Sequence, residues 1–198
     1  MKNELKKGVK KLYLAELFSL FGGVIISIAS TNLSSHKTLE AVFGLAGFAL
    51  ILVSSILHLV GLINLRKENK KFNEAFWTVL VIIGWAILDT IIPAIWPNWS
   101  GDPSNLLYYI LQVSLSFAII DGIRESIPAV AKLGKTTYII YAISAFTNLA
   151  ILALGDFGVA ADSTPIIITG ILSIIAELIY GIIIIVLLGK ANSAVNKK

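Results

Sequence analysis

Apolar residues occur in six long runs that are nearly free of charge and are separated by short polar or charged segments. Each run spans about twenty residues, the length that a helix rising about 1.5 Å per residue needs to cross a bilayer. The pattern predicts an all-α, multi-pass membrane protein, a single domain over residues 1–198 built as a bundle of six transmembrane helices. The predicted spans are residues 12–30, 41–65, 75–96, 105–123, 137–155 and 165–189.

The composition agrees with a membrane location and narrows the chemistry. Hydrophobic residues make up 57% of the chain and charged residues 14%, whereas soluble domains are about half apolar and a quarter charged. With no cysteine and 2 histidines, we predict neither a transition-metal site nor a cofactor. The net charge of +4 comes from basic loops, so the predicted partner is the lipid bilayer and not nucleic acid.

The distribution of basic residues predicts the orientation. Of the 16 lysines and arginines, all but Lys37 fall on one side of the predicted membrane. They lie in the N-terminal segment, the second and fourth connections and the C-terminal segment. Basic connections stay in the cytoplasm, so both termini are predicted to be cytoplasmic in a protein of the cell membrane.

Small and polar residues repeat at helical spacing along several spans. The second span carries the clearest stripe, formed by Gly44, Gly47, Ser54, His58 and Gly61. In lipid, helices associate through close contact of small residues and through interhelical hydrogen bonds. These stripes therefore predict the faces that the helices turn toward one another.

Two carboxyl groups are predicted at mid-membrane depth. Glu177 lies about 18 Å from either end of its span, and Asp89 lies about 21 Å from the inner end of its own. Neither span contains a basic residue beside them. Ionisable groups at this depth cost about 2.5–3.5 kcal/mol on insertion scales, so both residues are candidates for substrate or ion binding.

Three further polar residues are added to this candidate site. His58 lies on the stripe of the second span, and histidine titrates near neutral pH, which suits a proton relay. Gln112 and Asn148 offer polar contacts to the same region. Pro93 cannot donate to the carbonyl of Asp89, so a broken third helix is also expected, of the kind that transporters use to bind ions and substrates.

Three other charged residues are interpreted as structural. Glu16 is predicted about one turn inside the cytoplasmic surface, within reach of water or of Lys10 and Lys11. Asp121 and Arg124 are three residues apart, a spacing at which they pair along one helix.

Two functional hypotheses follow with equal weight. The first is a transporter of a small solute, a proton or a monovalent cation, or the substrate-binding membrane subunit of a transporter, which uses the buried carboxyl groups. The second is a regulator, assembly factor or immunity-type protein that acts through helix contacts without transporting anything. An intramembrane enzyme is the weakest hypothesis, and no residue is assigned a catalytic role; the sequence names no substrate, protein partner or oligomeric state.

Overall fold

A computed structural model describes residues 2–32, 37–96, 102–156 and 163–197 as an all-helical chain. The helices are α1 (Lys2–Asn32), α2 (Lys37–Leu65), α3 (Lys70–Ile95), α4 (Asp102–Ser126), α5 (Ala131–Asp156) and α6 (Thr164–Asn196), with one 3₁₀ turn at Pro128–Val130. The first, third and fifth connections fall partly or wholly outside the described residues.

All six helices have the length and apolar composition of membrane spans, which confirms the predicted number and makes the chain a multi-pass membrane protein by these criteria. The helices are longer than the predicted apolar runs, chiefly beside the chain termini, where α1 starts at Lys2 and α6 continues to Asn196. Hydropathy marks only the part of a helix that needs an apolar environment, whereas lysine and glutamate extend a helix readily beyond it.

Two local predictions differ from the structure. Helix α3 remains helical through Pro93 to Ile95, so the expected break is not seen. The predicted spans leave residues 124–136 as the fourth connection, whereas the structure reduces it to Ile127 and the 3₁₀ turn, and both Ile127 and Val130 are buried in the core.

The helices form a ring in sequence order. Each helix contacts the next one along the chain, and α1 closes the ring by contacting α6. Because consecutive helices of a bundle joined by short connections run antiparallel, both termini, the α2–α3 connection and the α4–α5 connection lie at one end. We call this end the terminal end and the other the distal end.

The closest helix pair is α1 and α2, which meet at glycines. A Cβ atom on Gly47 would lie 2.9 Å from the carbonyl oxygen of Gly22 and 2.6 Å from Cγ1 of Ile26. A Cβ atom on Gly61 would lie 3.2 Å from the carbonyl oxygen of Gly8. Gly44, which belongs to the same predicted stripe, has no neighbour within 4 Å of such an atom.

The apolar core occupies the terminal end of the ring. Its fully buried members come from five of the helices and include Leu12, Leu62, Phe72, Ile120 and Leu187. The core therefore fills the space between the helices at this end. Toward the distal end most large apolar side chains are exposed on the outside of the ring, where lipid would cover them.

The glycine contacts predict a position-specific loss of stability. Gly47→Ala should lower the free energy of unfolding relative to Gly44→Ala by about 1–3 kcal/mol, because only the first places a methyl group against the backbone of α1. Both substitutions gain the same helix propensity, so the difference isolates the packing cost. Thermal unfolding of the two purified variants in detergent measures it, and equal midpoints would contradict the packing described for α1 and α2.

Candidate functional site

A cavity of about 530 Å³ lies inside the ring, on the distal side of the core. All six helices contribute to its wall, and most of the lining residues are polar. The polar lining residues are Glu16, Ser19, Ser54, Ser55, His58, Tyr108, Tyr109, Gln112, Ser116, Tyr141, Ser144, Asn148, Glu177 and Tyr180. Helix α3 supplies an apolar strip, Val79, Ile82 and Ile83.

The cavity brings together four of the five residues predicted to bind a substrate or ion. Glu177, His58, Gln112 and Asn148 all line it, from four different helices. Asp89 is not among the lining residues, so the two carboxyl groups predicted at mid-membrane depth do not share this cavity. Any role of Asp89 in binding remains a prediction.

Glu16, which the sequence suggests is structural, also faces this cavity. Its Oε1 lies 4.0 Å from Nε2 of His58, across the α1–α2 contact. Leu12, one helical turn before Glu16, is fully buried in the core, so Glu16 lies at the end of the cavity that borders the core. Nε2 of His58 is buried and makes no hydrogen bond within the described part of the chain.

Glu177 is held by a chain of two hydrogen bonds. Nδ2 of Asn148 donates to Oε1 of Glu177 at 2.6 Å, and Oγ of Ser173 donates to Oδ1 of Asn148 at 2.6 Å. Ser173 is buried between α5 and α6, whereas the side chain of Glu177 is exposed. The chain of bonds thus fixes a carboxyl group that remains accessible from the cavity.

Tyrosine rings lie near both acidic positions. The rings of Tyr141 and Tyr180 contact each other with centroids 4.4 Å apart and planes tilted by 40°, and Tyr141 lies within electrostatic range of both Glu16 and Glu177. The hydroxyl of Tyr141 donates to the carbonyl oxygen of Gln112 at 3.4 Å, and that of Tyr109 donates to the carbonyl oxygen of Ala145 at 2.8 Å. These bonds fix the rings and occupy their hydroxyl hydrogens.

The predicted Asp121–Arg124 pair lies outside the cavity. Oδ1 of Asp121 and Nη2 of Arg124 are 3.0 Å apart within α4, near the terminal end. The guanidinium group also lies 5.9 Å from the ring centroid of Tyr138 on α5. Both contacts fit a structural role.

A larger depression of about 960 Å³ lies at the terminal end, between the chain termini and the α4–α5 connection. It carries charges of both signs, Lys6, Lys190, Glu68 and Glu125 among them, and Oε2 of Glu125 accepts a hydrogen bond from Nδ2 of Asn69 at 3.0 Å. Its described lining includes none of the five residues predicted to bind a substrate or ion. We therefore take the cavity inside the ring as the candidate site.

Two findings bear on what the cavity holds. Within the described ranges, no group of three or more histidine, aspartate and glutamate residues is arranged to hold a metal ion. Comparison with models of protein families, with curated proteins and with solved structures gave no match to this chain.

The hydrogen-bond chain predicts a measurable coupling. Asn148→Leu should lower the free energy of unfolding by about 1–2 kcal/mol, because it removes the partner of both Glu177 and Ser173. Thr147→Val is the matched control, since its hydroxyl bonds only carbonyl oxygens of its own helix, those of Ile143 and Ser144.

Denaturant or thermal unfolding of Asn148→Leu, Ser173→Ala and the double variant in detergent tests this hydrogen-bond chain. The two losses should be non-additive, as expected for residues in one network. Strictly additive losses, or a Thr147→Val variant as unstable as Asn148→Leu, would show that the three residues do not act as a unit.

Proposed function

We propose that this protein binds a small solute in the cavity inside its ring and takes part in moving that solute across the cell membrane. The carrying observation is the cavity itself, which gathers Glu16, His58, Gln112, Asn148 and Glu177 from five helices into one space. Ionisable residues in membrane spans typically face such an interior and mark substrate or ion pathways. The competing hypothesis, a protein that acts through helix contacts alone, does not require an accessible carboxyl group inside the ring.

The orientation of the protein is part of this proposal. The basic segments around Lys6, Arg66, Arg124 and Lys190 come together at the terminal end of the ring. By the positive-inside rule this end, with both chain termini, faces the cytoplasm. The apolar core then lies between the cavity and the cytoplasm, and the cavity receives its solute from the opposite side.

Single-cysteine labelling tests the orientation, since the chain contains 0 cysteines and each introduced thiol is unique. Lys37→Cys, at the start of α2, should react with a membrane-impermeant maleimide in intact cells. Lys67→Cys, in the α2–α3 connection, should react only after permeabilisation. The reverse pattern would contradict cytoplasmic termini.

Solute depletion tests transport even though the substrate is unidentified. Cells producing the wild-type chain should remove at least one small solute from a defined medium faster than cells producing Glu177→Gln, as measured by mass spectrometry of the medium. Glu74→Gln is the control, because Glu74 pairs with Lys71 at 2.9 Å near the terminal end, away from the cavity lining.

The expected result is a depletion that the control retains and Glu177→Gln loses. Both variants must be present in the membrane in equal amounts, which immunoblotting checks. If all three strains deplete the same solutes at the same rates, transport through the cavity is rejected in favour of a protein that acts through helix contacts.

A further inference from the structure

The charges in the cavity wall have one predominant sign. Glu16 and Glu177 are the carboxyl groups, His58 is the one residue among the described lining that titrates to a positive charge, and lysine and arginine are absent from that lining. Nε2 of His58 lies 4.0 Å from Oε1 of Glu16, so the one histidine of the lining is placed beside that carboxyl group. Within the described residues Glu177 forms no ion pair with a lysine, arginine or histidine, so its carboxylate can take a cationic partner from the ligand.

The aromatic wall beside Glu177 suits a positive charge as well. Tyr109 and Tyr141 are both within electrostatic range of Glu177, and the Tyr141 ring packs edge to face with Phe117, with centroids 5.0 Å apart and planes at 74°. Because the hydroxyl hydrogens of Tyr109 and Tyr141 are already given to backbone carbonyls, the two rings present electron-rich surface and no free hydroxyl hydrogen to the cavity. Ring faces attract cations, and ammonium groups are commonly bound between aromatic side chains.

The volume of the cavity and its apolar surface on α3 indicate that the cation is organic. A volume of about 530 Å³ falls within the usual range of small-molecule sites, roughly 300–1,000 Å³, and far exceeds what a proton or a monatomic ion needs. Val79, Ile82 and Ile83 form an apolar surface on α3 that can cover a hydrocarbon group. Negative charge, aromatic faces and an apolar strip therefore occur in one cavity.

We propose that the ligand of this cavity is an organic ammonium compound, with its positive charge between Glu177 and the tyrosine rings and its hydrocarbon part against α3. This inference rests on the proposed function, because it names the substrate class of the same cavity. The Glu16–His58 pair lies at the end of the cavity that borders the core, and binding of the cation does not require it.

Binding of three probes that share a phenyl ring and differ in charge tests the ligand class. Benzyltrimethylammonium, benzyl alcohol and phenylacetate are titrated into the full-length protein in lipid nanodiscs at constant ionic strength, with calorimetry as the readout. Benzyltrimethylammonium should bind at least about tenfold more tightly than the other two.

Three variants locate the binding. Glu177→Gln should weaken benzyltrimethylammonium binding by about tenfold or more, and Tyr141→Leu should weaken it on the order of tenfold. Tyr141→Phe should stay within about twofold of the wild type, because it keeps the ring face and loses only the hydroxyl. Each variant is first shown to unfold at a temperature close to that of the wild type.

The outcomes separate this inference from the proposed function. Equal or tighter binding of benzyl alcohol or phenylacetate would overturn the ammonium ligand, as would ammonium binding that Glu177→Gln and Tyr141→Leu leave unchanged. Absence of probe binding together with a Glu177-dependent depletion of a neutral or anionic solute would overturn it while the transport proposal stands. Absence of probe binding with identical depletion by all three strains would overturn both.

Discussion

The hydrocarbon layer offers no hydrogen-bond partners, and this constraint arranges the polar residues of the whole bundle. Every backbone group must be satisfied within a helix, and every ionisable side chain must find a partner or an aqueous space. The ring provides both. Asn148 and Ser173 satisfy one oxygen of Glu177, His58 stands opposite Glu16, and the remaining polar surface of these residues opens into the cavity. A cavity inside the ring is thus the place where these polar groups avoid lipid.

The cavity exists because the two ends of the ring pack differently. At the terminal end Leu62, Phe72 and Ile123 fill the interior completely, and the 3₁₀ turn adds Val130 to the same cluster. About one or two turns beyond the core residues of α1, α2 and α6, the inward positions carry Glu16, Ser54 and Glu177, which are too polar or too small to continue an apolar core. The sequence therefore encodes one half of the bundle that is filled by apolar side chains and another half that contains the cavity.

The sequence predicts the number of helices well, because apolar runs of about twenty residues are seldom anything but membrane spans. It predicts the depth of a residue along a helix but not the direction in which the side chain faces. Asp89 and Glu177 therefore have a similar predicted depth, and only the orientation of α3 about its axis shows that Asp89 does not line the cavity. For a related reason, the sequence does not predict that Glu16 lies in the cavity wall. Its predicted depth is counted from the start of the apolar run at Leu12, whereas α1 begins at Lys2 and the buried Val9 and Leu12 lie beneath it. The pairing of Tyr141 with Tyr180 is not predictable from the sequence, because the rings belong to different helices and their stacking depends on how α5 and α6 meet.

Transport, as proposed, requires the core to open while the cavity closes. The packing of the ring determines which helices can separate at the lowest cost in free energy. Helices α1 and α2 are locked by backbone contacts at Gly22 and Gly47 and at Gly8 and Gly61, so parting them would break many close contacts at once. Among the neighbouring pairs of the ring, α2 and α3 touch least. Moving α3 and α4 together, as a pair that packs more extensively, away from α2 would part Phe72 and Ile120 from the core and leave the α1–α2 contacts intact. The closest packing in the ring is thus between α1 and α2, and the least extensive contact between neighbouring helices is between α2 and α3.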